Sequence, residues 1–366
     1  MAMGWETDYC LPDDVNWSEV LDISYDQGVA AIVLDGYEGY LRKNPSQKSF
    51  LPLPENKPLR GKALGRLHKI ENNYRSHLDA LSALAGILSK KQIPFLIMKG
   101  FSCAQYYPIP EHRNCGDIDI YPGHRFTESN DAIKEAGVDV LSHYYRHTTS
   151  RIEGILIENH RILCDLRGPR NQTRALEAQL ENLGNACLQR EGREMINNTV
   201  IPGAVFPSAN FNALFLPWHV SAHLEFERVT IRHLVDWALF LTHDGKDIDV
   251  SMFQTAKQNY TYGFSKIADI LTNLSIRYLK IPVNDIPLGI IEDSVNFDDR
   301  LADRVFEYMF AGKNRERDNN VWVFRINNIK RILQERWKYK EIYGMGVIKF
   351  LFYKVFGAVL NVGENG

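Results

Sequence analysis

Residues 94–120 read PFLIMKGFSCAQYYPIPEHRNCGDIDI, Pro94 to Ile120. An apolar run ends in Lys99-Gly100, a Tyr-Pro loop carrying Arg113 follows, and Asp117-Ile118-Asp119 then sits inside a second apolar run. Side chains alternate faces along a strand, so Asp117 and Asp119 share one face while Ile118 and Ile120 point into the core. Two carboxylates on one face of a buried strand repel. A cation between them removes that cost, and hard oxygen ligands suit Mg²⁺. The plainer alternative is a strand end with two solvated acids.

The company of this pair sets it apart. Met98-Lys99-Gly100, Tyr107-Pro108, Arg113, Asp117-Ile118-Asp119 and, later, Glu158-Asn159-His160 occur in that order. This order resembles the uncharacterised nucleotidyltransferase family of the DNA polymerase β-like superfamily. That family carries an apolar-Leu-Lys-Gly turn, a Tyr-Pro and an Arg, Asp-Ile-Asp, and a strand with Glu-x-His. The resemblance implies an α+β fold, a small mixed-sheet nucleotidyltransferase core flanked by N-terminal and C-terminal helical domains. It also implies Mg²⁺ (or Mn²⁺) held by Asp117, Asp119 and Glu158, the three catalytic carboxylates. Glu158 would in addition take the proton of the acceptor. His160, two residues on and on the same face, becomes a nucleotide contact or a histidine satisfied under the sheet.

Lys99-Gly100 is read as the turn from a first strand, Phe95 to Met98, into a short helix whose free N–H groups suit phosphate. Gly100 lets backbone come close and Lys99 adds a charge. In the wider superfamily this turn is usually Gly-Gly or Gly-Ser, so Lys-Gly is a departure shared with the resembling family. Lys99 has two possible partners, a phosphate or the Asp pair itself, and the first is the expectation. Arg113 divides in the same way between phosphate and the carboxylates. Asp165 and Arg167 are weaker candidates.

A chain of 366 residues has room for two or three domains. A net charge of −2 gives no global attraction to nucleic acid or anionic membrane, so any such partner needs a local patch. Cys10, Cys103, Cys115, Cys164 and Cys187 are scattered without a C-x-x-C, which reads as reduced thiols in a cytoplasmic protein. The N-terminus lacks the basic and apolar blocks of a secretory signal, and Met1-Ala2 looks like an added start.

Residues 1–91 form the expected N-terminal helical region. Trp17, Val20 and Leu21, then Val29, Ile32, Val33, Tyr37, Tyr40 and Leu41, recur at helical spacing, with Asp13 or Asp14 as cap and Gly28 as divider. Residues 44–58 read as a loop, and Ile70, Tyr74, Leu78, Leu81, Leu84 and Leu88 draw the stripe of a third helix. The catalytic domain is expected over 92–207. In it, an amphipathic helix ends at Gly137, and Ile152 to His160 reads as one strand.

Residues 208–366 are expected to be helical. His219 and His223 lie four apart, a spacing that can bind zinc, but the metalloprotease form needs Glu where Val220 stands. With Ile231-Arg232-His233-Leu234-Val235-Asp236 they resemble a second block of the same family, extending the resemblance over roughly residues 15 to 245. The resemblance makes His223, Arg232 and Asp236 candidates for nucleotide binding. An inter-helix polar network without zinc is the favoured alternative.

Between Lys313 and Lys354 eleven Lys or Arg face four acids, with Trp322, Trp337, Tyr339 and Tyr343 interleaved. Such a segment could hold RNA, although a solvated helix anchored by aromatics is commoner. Residues 347–362 are apolar but broken by Lys349 and Lys354, which argues against stable membrane insertion. The resulting expectation is transfer of a nucleoside monophosphate from a nucleoside triphosphate to an unknown acceptor, a small molecule, RNA or protein, with release of pyrophosphate. The alternatives are a non-catalytic nucleotide-sensing module and a toxin-like enzyme acting on RNA or protein.

Overall fold

The computed structural model describes residues 3, 15–43, 57–164, 168–189, 193–196, 199–311 and 330–353. The chain divides into two compact units. The first comprises Met1–Arg161, Gly184–Pro207 and Lys280–Pro282, the second Ile162–Leu183, Ser208–Leu279 and Val283–Gly366. The chain is α+β, helices flanking a mixed sheet.

The first unit begins with α1 (Trp17–Asp26) and α2 (Ala30–Lys43). Asp13 and Asp14 lie outside the described residues; the cap of α1 is Asn16, whose side chain accepts from the Glu19 N–H. Gly28 separates the two helices at φ +73°, a left-handed conformation that costs glycine little. The long α3 (Lys57–Ser89) follows. Of the basic residues at its start, Lys62 and Arg66 both pair with Asp22 on α1, so they tie helices together.

The sheet is built from β1 (Phe95–Met98), β2 (Ile118–Tyr121), β3 (Val140–His143), β4 (His147–Ile152), β5 (Ile155–His160) and the two-residue β8 (Ala204–Val205). Their order is β3-β4-β5-β2-β1-β8. The β1/β8 and β2/β5 pairs are parallel; β1/β2, β3/β4 and β4/β5 are antiparallel. Between β1 and β2 stands α4 (Lys99–Cys103), and between β2 and β3 stands α5 (Phe126–Glu135). A hairpin of β6 (Arg193–Ile196) and β7 (Thr199–Pro202) completes the unit.

The stretch read as one strand, Ile152 to His160, is instead the turn and second arm of a hairpin. Ile152 pairs with Ile155 across Glu153-Gly154, both at positive φ, +48° and +80°. Two central residues with φ > 0 are the turn whose twist matches a tight antiparallel pair. The apolar residues on either side had hidden it.

One face of the sheet is apolar. Phe95, Ile97, Ile118, Ile120 and Ile157 pack with Tyr74, Leu81, Leu84 and Leu88 of α3 in one buried cluster. Strand alternation therefore sends Asp119, between Ile118 and Ile120, to the opposite face. The α3 helix also fixes the loop before β2. Asn73 donates to the Cys115 carbonyl at 2.6 Å, and His77 Nε2 lies 2.6 Å from the Gly116 carbonyl.

The second unit is helical: most of α6 (Arg170–Leu188), then α7 (Ala209–Phe226), α8 (Ile231–Asp244), α9 (Val250–Asn259), α10 (Phe264–Arg277), α11 (Leu288–Val295), α12 (Asp299–Ala311) and α13 (Arg336–Glu341). In the basic aromatic segment, Tyr339, Tyr343 and even Lys338 are buried. Lys338 donates to the Leu224 carbonyl at 2.8 Å and to Glu335 at 2.6 Å. These side chains are core anchors and cannot stack on bases; Trp322 lies outside the described residues. No helix among the described residues is long and apolar enough to cross a membrane. Cys103, Cys115, Cys164 and Cys187 are buried, whereas Cys10 falls outside the described residues.

Candidate active site

The register of four strands brings the site together. Met98, the last residue of β1, pairs with Asp119; Asp119 pairs with Glu158; and His160 pairs with His147 across the hairpin. Asp119 on β2 and Glu158 on β5 thus lie on adjacent strands with Asp117 just before β2, and the ligand oxygens of the three are all within 4.8 Å of one another. Asp119 is almost completely buried, at 1% exposure.

Its two oxygens have different surroundings. Oδ1 receives Lys99 Nζ at 2.8 Å and lies 2.9 Å from His160 Nε2. Oδ2 is buried and has no hydrogen-bond partner. A buried carboxylate oxygen left unsatisfied is costly. His160 Nε2 also lies 3.3 Å from Glu158 Oε2, and His147 Nε2 lies 3.6 Å from Glu158 Oε1.

The protonation of these groups follows from their neighbours. Burial pushes the Glu158 carboxyl up, but the His160 hydrogen bond and the Lys99 charge prevail and hold it down at about 2. Burial pulls Lys99 down, and Asp119, Asp117 and Glu158 together more than reverse this, raising it above its ordinary value. His147 is pushed down, chiefly by burial. At neutral pH the site therefore carries an ionised Glu158 against a charged Lys99.

Lys99 is held by backbone as well as by charge. Its φ of +36° lies in the left-handed region, which costs a non-glycine residue about 1–3 kcal/mol. The helix it opens, α4, is only five residues long, so a point charge rather than a long aligned dipole dominates there. Gly100 follows closely packed: a Cβ on it would lie 3.5 Å from the Asp117 carbonyl and 3.7 Å from an Arg113 guanidinium nitrogen. Arg113 is buried, its Nη1 also near the Asn114 carbonyl and the Cys115 thiol. The neighbouring His112 is fixed to Asp35 at 2.7 Å, anchoring this loop to the N-terminal helices.

The sheet thus gathers Lys99, Gly100, Arg113, Asp117, Asp119, Glu158 and His160. His223, Arg232 and Asp236 lie in the second unit, on α7 and α8. Asp165 and Arg167 lie outside the described residues. Sequence reading missed His147. Its signal was present: once Glu153-Gly154 is read as a two-residue turn, counting outward puts residue 147 opposite 160.

A family described as uncharacterised nucleotidyltransferase has a model that matches residues 13–275, well over half of the chain. The chain belongs to this family. No curated protein and no solved structure matches it. For a nucleotidyltransferase the donor set is chemically apt. The three carboxylates, hard oxygen donors with an unsatisfied buried Oδ2, fit a small divalent cation such as Mg²⁺ or Mn²⁺, while the overlapping group of His147, Glu158 and His160 offers two nitrogens to one oxygen.

Proposed function

We propose that this nucleotidyltransferase moves a nucleoside monophosphate from a nucleoside triphosphate to an acceptor hydroxyl, with pyrophosphate as leaving group. The observation that carries the reading is the unpartnered Oδ2 of Asp119 in a face where three carboxylates meet one lysine. Asp117, Asp119 and Glu158 would hold Mg²⁺ or Mn²⁺. Bound there, the metal would supply charge neutralisation at the phosphoryl oxygens and a lowered pKa for an attacking hydroxyl.

The remaining work falls to the chain's own groups. His160 orients Asp119 and Glu158 by bridging them with Nε2. Glu158 is held ionised at neutral pH, and besides serving as a ligand it would take the proton of the acceptor hydroxyl. Lys99 has its charge balanced by Asp119 while the site is empty, and can turn to the triphosphate when cations take over that balance. Arg113, beside Gly100, adds a second positive charge to the same rim. Positioning and charge neutralisation provide the rate.

The test is incubation with each of four α-labelled nucleoside triphosphates, a cell extract and Mg²⁺ or Mn²⁺. The reading expects label on one acceptor class, lost with chelator and in Asp119→Asn. Labelling that persists in Asp119→Asn would place the chemistry elsewhere, and nucleotide binding without any labelled product would favour a sensing module.

A further inference from the structure

We propose a second metal centre in the helical unit, a zinc-class ion bound by His219, His223 and His233. It is chemically distinct from the carboxylate site and independent of the transfer reaction proposed above. Two of these residues are visible as a pair four apart on α7. The third, His233, is in the first turn of α8, and the corner between the helices is short, Glu227–Thr230. The fold makes three nitrogen donors of what the sequence shows as two.

One ring nitrogen from each histidine lies within 4.8 Å of the others. Around a tetrahedral zinc with Zn–N of about 2.0–2.1 Å, nitrogens stand roughly 3.3 Å apart, so modest side-chain rotations close the set. The rings are already inclined to one another. His219 and His223 meet edge to face at 4.3 Å and 83°, and His233 lies 5.6 Å from His223 and 6.1 Å from His219, centroid to centroid.

The outer contact of His223 points to a ligand too. A metal-bound histidine characteristically commits its other nitrogen to a carboxylate, carbonyl or hydroxyl, which fixes ring and tautomer. His223 Nδ1 is hydrogen-bonded to the Glu227 carboxylate, which leaves Nε2 as its ligand atom. His233 Nδ1 accepts the Thr230 N–H at 3.1 Å and lies 3.1 Å from the Thr230 hydroxyl, which holds the ring at the start of α8. His219 is positioned by stacking on Phe215, 6.0 Å away at 15°. All three histidines are half-buried, accessible to an entering ion yet held by their helices.

Imidazole donors select Zn²⁺ and its transition-metal neighbours over Mg²⁺. Three protein nitrogens leave a fourth position for water or a small ligand. The bound ion would staple the end of α7 to the start of α8, so part of its binding energy becomes stability of that corner.

The test uses the full-length protein, stripped with chelator and dialysed against buffered Zn²⁺, and separately Co²⁺. About one Zn²⁺ per chain is expected, with the intense visible absorption of tetrahedral Co²⁺ in the cobalt form and a rise of several degrees in Tm on adding Zn²⁺. His219→Gln and His233→Ala should lose all three signals, whereas Asp119→Asn should keep them. If His233→Ala does not fold, His233→Asn replaces it, since its side-chain oxygen can still accept the Thr230 N–H. Zinc well below stoichiometry in wild type, or a full complement retained when His219 and His233 are both replaced, would overturn the proposal.

Discussion

Each unit buries a lysine among carboxylates, and the two clusters differ in what they leave unsatisfied. In the helical unit, Lys257 on α9 reaches Asp269 Oδ1 at 2.5 Å and Asp293 Oδ2 at 2.6 Å, and Ser294 donates to Asp269 at 3.0 Å. Asp293 is largely exposed, so water solvates it, and the cluster is closed. On the sheet, Lys99 faces Asp117, Asp119 and Glu158 at once, and Asp119 Oδ2 has no partner. The same residue types thus make a joint between helices in one place and a surplus of carboxylates with an unsatisfied oxygen in the other. Burial of an ion pair does not mark function; a surplus of one charge with an unsatisfied atom does.

The comparison can be broken most directly by exchanging charge for shape. Asp119→Asn should reduce nucleotidyl transfer by on the order of 10²–10³-fold or more while leaving the melting temperature near that of wild type. The matching change in the other cluster, Lys257→Met, should do the reverse. It strands a buried Asp269 and should cost about 3–5 kcal/mol in denaturant unfolding, with transfer by the folded fraction intact. Equal effects of the two changes on activity would erase the distinction drawn here.

Lys99→Met sharpens the contrast, because on the proposed reading a divalent cation can take the place of its charge at the sheet cluster. Without divalent metal the variant should lose a few kcal/mol, on the order of what an uncompensated buried charge costs. Added Mg²⁺ should then raise its Tm more than it raises that of wild type. A variant as stable as wild type in chelator would show that Lys99 does not neutralise the empty site.

The smallest effect concerns acid. Glu158 is depressed from 4.5 to about 2 in the folded protein. A depressed carboxyl contributes stability that is fully present above its unfolded value and lost as pH falls through its folded value. Metal-free wild type should therefore lose stability between pH 4.5 and 2. Glu158→Gln should show a shallower slope there, read from urea midpoints across that window.

The sequence made the acidic strand legible because alternation within Asp117-Ile118-Asp119-Ile120 assigns faces without any tertiary knowledge. The α3 stripe was legible for the same reason, a period written in neighbouring residues. The partners were not. Lys99 could meet a phosphate or an aspartate, and only the β1/β2 register, Met98 opposite Asp119, decides that the empty site pairs it with Asp119. His147 and His233 join their clusters through a hairpin and a helix corner whose geometry no local pattern states. Edge strand β8, two residues long, carries no period at all.

The central claim is that the carboxylate face of the sheet is a divalent-metal and nucleotide site. Free Mn²⁺ followed by electron paramagnetic resonance, titrated with chelator-treated protein and a non-hydrolysable nucleoside triphosphate, tests it directly. The account predicts saturable Mn²⁺ uptake that nucleotide strengthens, absent in Asp119→Asn and unchanged in His233→Asn. Undiminished, nucleotide-dependent uptake by Asp119→Asn would contradict it.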